Sequence, residues 1–206
     1  MKLVSISAIL VMLMNISVFD SSPENSQAIS SSQVASLIDQ LDAMGYYQYA
    51  SQKNEIIAES KRSGYIFGDP VTNRAFFCDA ENLAEGGVKT FLEDIDPALR
   101  LRKVVIKELR EEFSEQGYFI TINGIKYTIY TEKEFESVDT WELSSIRTFS
   151  IINRLLKEAG STERVYQLYG GNEQLAIFLT PEMYDLIKNA KGLDEIEKPK
   201  SIGVLP

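Results

Sequence analysis

YFITINGIKYTIYTEKE, residues 118–134, reads as strand, tight turn, strand and helix cap. Asn123-Gly124 is a favoured centre for a two-residue type I′ turn, because both central positions need positive φ. That turn fixes the register. Ile122 then faces Ile125, Ile120 faces Tyr127, and Tyr118 faces Ile129. All six are apolar or aromatic and share one side of the ribbon, while Phe119, Thr121, Lys126 and Thr128 make a mixed other side. An isolated hairpin is marginal in water, so the apolar side must pack on something. Thr131 and Glu134 then stand in capping-box spacing, which opens a helix.

The same layout recurs on either side. Upstream, Tyr65-Ile66-Phe67 and Ala75-Phe76-Phe77-Cys78 flank Asp69-Pro70 and Asn73, with Asp79 as the following cap. Downstream, Val165–Tyr169 and Leu175–Leu179 flank Gly170-Gly171-Asn172, and Thr180-Pro181-Glu182 follows, with Pro181 at the first helical position. The three units share layout and little sequence, so no duplication is inferred. The fold class expected is α+β: one antiparallel sheet of about six or seven strands built from three β-hairpins, each followed by a helix, with the helices packed on one face.

Other segments place helices around that sheet. Ser31 or Ser32 caps a helix whose Val34, Leu37, Ile38, Leu41 and Met44 repeat at helical spacing, and Gly45 stops it. Tyr46, Tyr47 and Tyr49 are expected to pack over its end. A short helix is expected over 52–61, ended by Gly64. Gly86-Gly87 reads as a helix break, since it lacks the Lys and Ser/Thr of a phosphate-binding loop. Val88–Ile95 is helical, with Asp96-Pro97 ending it. Residues 101–117 carry both periods; the β-branched Val104-Val105-Ile106 favours a strand over 103–109. The strongest helix lies between Thr140 and Ala159, with Ile146, Phe149, Ile152, Leu156 and Ala159 in one stripe. Trp141 opens it, either capping the core or anchoring a partner, and the core role is the expectation.

Lys2 followed by the apolar run Leu3–Phe19 reads as an export signal, with Ser26-Gln27-Ala28 as a cleavage candidate; an uncleaved anchor is the alternative. The organisation expected is a signal peptide over 1–28, a single α+β domain over 29–192 and a loosely ordered tail over 193–206. No membrane span is expected in the mature chain. The single cysteine, Cys78, permits no internal disulfide and reads as a buried core residue.

The chemistry is defined mainly by what is missing. The chain has no histidine, which removes Ser-His-Asp and Cys-His machinery and His-ligated zinc. Glu81 and Glu85 share a helix face but read as solvated first-turn charges. Asp94 and Asp96 lack the loop of a calcium site. No catalytic, cofactor-binding or metal-ligating residue is therefore assigned, and no cofactor is expected. A net charge of −9 disfavours nucleic acid and favours a basic protein partner. Size, acidity and layout are loosely like those of periplasmic immunity or inhibitor proteins, an analogy that no particular residue carries. The function expected is an exported, non-catalytic binding or inhibitor-type protein acting by protein–protein recognition. The alternatives are a carboxylate-dependent hydrolase of envelope polysaccharide and a small-ligand-binding domain.

Overall fold

The computed structural model describes residues 29–67 and 70–202. The expected signal segment lies outside these residues, as do Asp69 and positions 203–206. The chain is α+β, with two small antiparallel sheets of three strands each and several helices. In order the main elements are α1 (Ser31–Ala43), α2 (Lys53–Ser63), β1 (Ala75–Asp79), α3 (Ala80–Asn82), α4 (Val88–Leu101), β2 (Leu109–Ser114), β3 (Gly117–Ile122), β4 (Ile125–Thr131), α5 (Glu132–Phe135), α6 (Thr140–Glu158), β5 (Arg164–Leu168), β6 (Glu173–Leu179) and α7 (Pro181–Lys188). A π-helical turn, Leu83–Gly87, joins α3 to α4, and Gly86 at φ 107° makes the break that the double glycine foretold.

The Asn123-Gly124 turn forms as read: Ile122 pairs with Ile125 and Ile120 with Tyr127. Beyond that the register shifts. Tyr118 pairs with Tyr130 rather than Ile129, across an irregularity between Tyr118 and Phe119. The extra β4 residue lets consecutive Ile129 and Tyr130 both turn into the core. At the far end Gly117 (φ 133°) lies so close to β4 that a Cβ there would come within 2.2 Å of the Tyr130 carbonyl oxygen. The expected caps hold too, with Asp79, Thr131 and Thr180 each opening the helix that follows its strand.

The single sheet of three ribbons is corrected. Two hairpins form, β3–β4 and β5–β6, and they belong to separate sheets, ordered β2-β3-β4 and β1-β6-β5. Tyr65–Phe67 is not a strand; Ile66 and Phe67 enter the core as irregular chain. β1 instead pairs with the distant β6, Ala75 opposite Ile177 and Cys78 opposite Gln174. Alternation shows which faces a strand buries and does not identify its partner.

Helices on one face are corrected as well. Ala75, Tyr166, Leu168, Ile177 and Leu179 pack with α1, α2 and α7 in one core. Cys78, Val165, Ala176 and Phe178 point the other way, into a second core with α4, α6 and the β2-β3-β4 sheet. The β1-β6-β5 sheet therefore separates two apolar clusters and is covered on both sides.

Smaller departures have local causes. The strand expected over 103–109 begins only at Leu109. Lys103 adopts φ 65°, Val104 drops into the core, and the next residues are clamped by the Asn123 side chain. Its Oδ1 accepts from the amides of Lys107 (2.7 Å) and Glu108 (3.2 Å), and its Nδ2 donates to the Val105 carbonyl (2.9 Å). Pro97 does not end α4, which continues to Leu101 and buries Ala98 and Leu99. Ser30 rather than Ser31 or Ser32 caps α1, in a capping box with Gln33, and Met44 is exposed. Of the tail, Leu193 is buried, and Gln167 and Lys200 exchange two backbone hydrogen bonds of 3.0 and 2.7 Å.

One polar network joins the two cores. Arg74 precedes β1, Glu163 precedes β5 and Arg102 follows α4, and all three are buried. Arg74 Nη1 donates to Glu163 Oε1 (2.9 Å), and Arg102 Nε donates to Glu163 Oε2. The remaining guanidinium donors go to the carbonyls of Gly45, Tyr46, Asn73, Ala98 and Phe178. Phe178 lies 4.2 Å and Tyr49 4.9 Å from the Arg102 guanidinium. Burial pulls the Arg102 pKa down, Glu163 opposes that shift, and Arg74 adds to it.

Two outcomes follow for chemical denaturation. Glu163→Gln leaves two buried guanidinium groups without a counter-charge and lowers unfolding free energy by about 3–5 kcal/mol. Asn123→Gly keeps the turn and loses the clamp; it costs about 1–3 kcal/mol and selectively removes exchange protection at the Lys107 and Glu108 amides.

Candidate functional site

An exposed apolar surface lies where β4 leads into α6. Thr131 and Glu134 form the predicted capping box: the Thr131 amide donates to Glu134 Oε2 (2.8 Å) and the Glu134 amide to Thr131 Oγ1 (3.3 Å). Arg147, on α6, closes a fork on the same carboxylate at 2.9 and 2.7 Å and also donates to the Ile129 carbonyl (3.0 Å). Asp139 caps α6 by accepting from the amides of Trp141 (3.0 Å) and Glu142 (3.2 Å). A buried relay anchors the same turn from the other sheet. Gln167 donates to Gln174, Gln174 donates to Ser145 Oγ, and Ser145 donates to the Trp141 carbonyl.

These bonds tie down the backbone and leave three apolar side chains outside. Phe135 is 61%, Val138 49% and Trp141 42% exposed. The core-capping role expected of Trp141 is thus corrected; with Asp139 capping the helix, its first turn projects Trp141 outward. Glu132, Glu134, Glu136, Asp139 and Glu142 lie in the same stretch, against Lys133 within it and Arg147 paired to Glu134. From Phe135 a series of ring contacts runs inward through buried Tyr130 and Tyr118. Phe135 lies 5.6 Å from Tyr130, Tyr130 lies 5.5 Å from Tyr118, and Tyr118 stacks at 4.2 Å on exposed Phe113.

The electrostatics favour fixed charge over proton transfer. The Arg147 fork, with the Thr131 amide, holds the Glu134 carboxyl at about 2. Burial, then the neighbouring Glu111 carboxylate, pushes the Tyr118 hydroxyl up; it donates to Glu111 and accepts from the Val88 amide (3.2 Å). Tyr130, raised by burial and by Glu85, donates to the Ala84 carbonyl (2.9 Å). Burial also raises the Cys78 thiol, which lies in the core. Glu85 is exposed, and Glu81 is half-buried. Among the described residues no group of three or more His, Cys, Asp or Glu is placed to hold a metal. Nor is any helix among them long and apolar enough to cross a membrane.

Sequence reasoning weighed Trp141 as an anchor and missed the rest of the surface. The available signal was Phe135, Val138 and Trp141 recurring every third residue among acids, in a stretch with no other apolar residue to form a stripe. No family model matches the chain, and neither a curated protein nor a solved structure matches it.

Because the Glu134 pKa is depressed, its contribution to stability is complete above the ordinary carboxylate value of 4.5 and is lost as pH falls toward about 2. Glu134→Gln removes that contribution. Thermal melts across this window are expected to show a shallower loss of stability in the variant than in the native chain.

Proposed function

We propose that the protein is an exported, non-catalytic recognition protein that binds a basic protein partner through the surface at Glu132–Glu142. The observation that carries this reading is the exposed trio Phe135, Val138 and Trp141, set among five carboxylates on a backbone fixed from both sides. Aromatic side chains held rigidly outside a fold lose little entropy when covered, and they are common anchors of protein interfaces. The surrounding acids add long-range attraction for a cationic partner and speed its encounter.

The hydrolase alternative lacks comparable support. Glycoside hydrolysis needs two acids across one cleft, one of them with a raised pKa. Among the described residues the shifted carboxylates, Glu134 and Glu182, both move downward. A cavity of about 730 Å³ beside α6 carries one carboxylate, Glu158, ion-paired to Arg154 at 2.8 Å.

Affinity capture from a cell-envelope extract tests the proposal. The native chain at low salt retains a basic protein that high salt releases, and the double variant Phe135→Ser/Trp141→Ser retains at least tenfold less of it. Capture that is equal for both chains, or insensitive to salt, contradicts the reading.

A further inference from the structure

The opposite end of α6 carries a surface of the opposite sign. β4 and β5 are edge strands of different sheets, and α6 runs between them. An open edge exposes unpaired backbone groups. Here α6 answers part of that demand with side chains. Arg147 donates to the Ile129 carbonyl on β4 (3.0 Å). Asn153 donates to the Val165 carbonyl (3.0 Å) and accepts from the Val165 amide (2.6 Å), imitating a strand beside β5. Lys200 pairs with Gln167 further along the same edge. The strands are thereby held apart, and a cavity of about 730 Å³ opens between them. That volume falls in the range of roughly 300–1,000 Å³ usual for small-molecule sites.

Its charge runs against the rest of the chain. Arg147, Arg154, Lys157 and Arg164 line the cavity, with Glu158 the sole carboxylate, in a protein of net charge −9. Arg147 is neutralised by Glu134, and Arg154 by Glu158. Arg164 is oriented by the carbonyls of Ser161 and Glu163 (2.7 and 2.6 Å) and forms no ion pair with any described residue. Lys157 forms no ion pair with any described residue. Tyr127, Ile151, Val165 and Ile202 supply apolar wall, and the Arg154 guanidinium lies 5.5 Å from the Tyr127 ring.

We propose that this cavity is a binding site for a small molecule bearing one anionic group on an aromatic or aliphatic body, with Lys157 and Arg164 receiving the anion. The cavity shares Arg147 with the acidic surface, where that side chain pairs with Glu134, but Phe135, Val138 and Trp141 are not among its lining residues.

Fluorescence titration with 8-anilinonaphthalene-1-sulfonate tests this, using N-phenyl-1-naphthylamine, the same ring system without the sulfonate, as the neutral arm. The native chain is expected to bind the sulfonate saturably at one site and the neutral dye at least tenfold more weakly. Lys157→Glu, at an exposed position whose melting temperature should be unchanged, lowers sulfonate affinity at least tenfold, and Arg164→Gln lowers it in the same direction. Phe135→Ser leaves the affinity unchanged. Equal binding of both dyes, an undiminished Lys157→Glu variant, or loss of binding in Phe135→Ser would overturn the assignment; the last would place the dye on the acidic surface instead.

Discussion

Arg74, Glu163 and Arg102 form the interaction on which the rest of the structure depends. Each stands at the boundary of an element: before β1, before β5 and after α4. One carboxylate between two guanidinium groups leaves a net positive charge in the interior, compensated by the five carbonyls that the arginines also reach. Such a network adds little net stability over an apolar filling of the same shape. Its effect is on geometry, because the two arginines bind Glu163 and carbonyls from five separate positions at once. It fastens the end of α1 and the end of α4 to the same rim of the β1-β6-β5 sheet, so the clusters on the two faces of that sheet share one joint.

α6 is the second organising piece. Its buried stripe of Phe149, Ile152, Leu155 and Leu156 fills the core between the sheets, while polar side chains on its flanks terminate edges of both. The two candidate recognition surfaces are consequences of that position. At the N-terminal end, the cap at Asp139 and the Arg147–Glu134 fork hold an acidic, aromatic surface outward. Towards the C-terminal end, the gap left between two separated edges is lined by cations. A rigid helix thus presents charges of opposite sign in places where the backbone has little freedom to rearrange, which lowers the entropy cost of binding at either.

The parts of this fold legible in the sequence are those set by near neighbours. The Asn123-Gly124 turn, the caps at Asp79, Thr131 and Thr180, and the α6 stripe each depend on residues within a few positions, and each was readable from type and spacing. The division into two sheets was not. It rests on Ala75 finding Ile177 across about half of the chain, and several apolar strands offered the same pattern. The central network was hidden for a different reason: Arg and Glu are overwhelmingly surface residues, so nothing marks Arg74, Arg102 or Glu163 as buried. The bulge at Ile129 was equally silent, since an alternating apolar strand reads the same with or without it. Of the two surfaces, the acidic one left a trace in its Phe-Val-Trp spacing, while the cationic cavity collects residues from strands and a helix that only the fold brings together.

If the buried network joins the two cores, they must unfold as one. Native-state hydrogen exchange against low denaturant measures this directly. Slowly exchanging amides of α1, such as Leu37 and Leu41, should merge with those of β3, such as Ile120, into a single opening of the same free energy. A separate opening of α1 and α7 at distinctly lower free energy, with β3 and β4 still protected, would contradict the account.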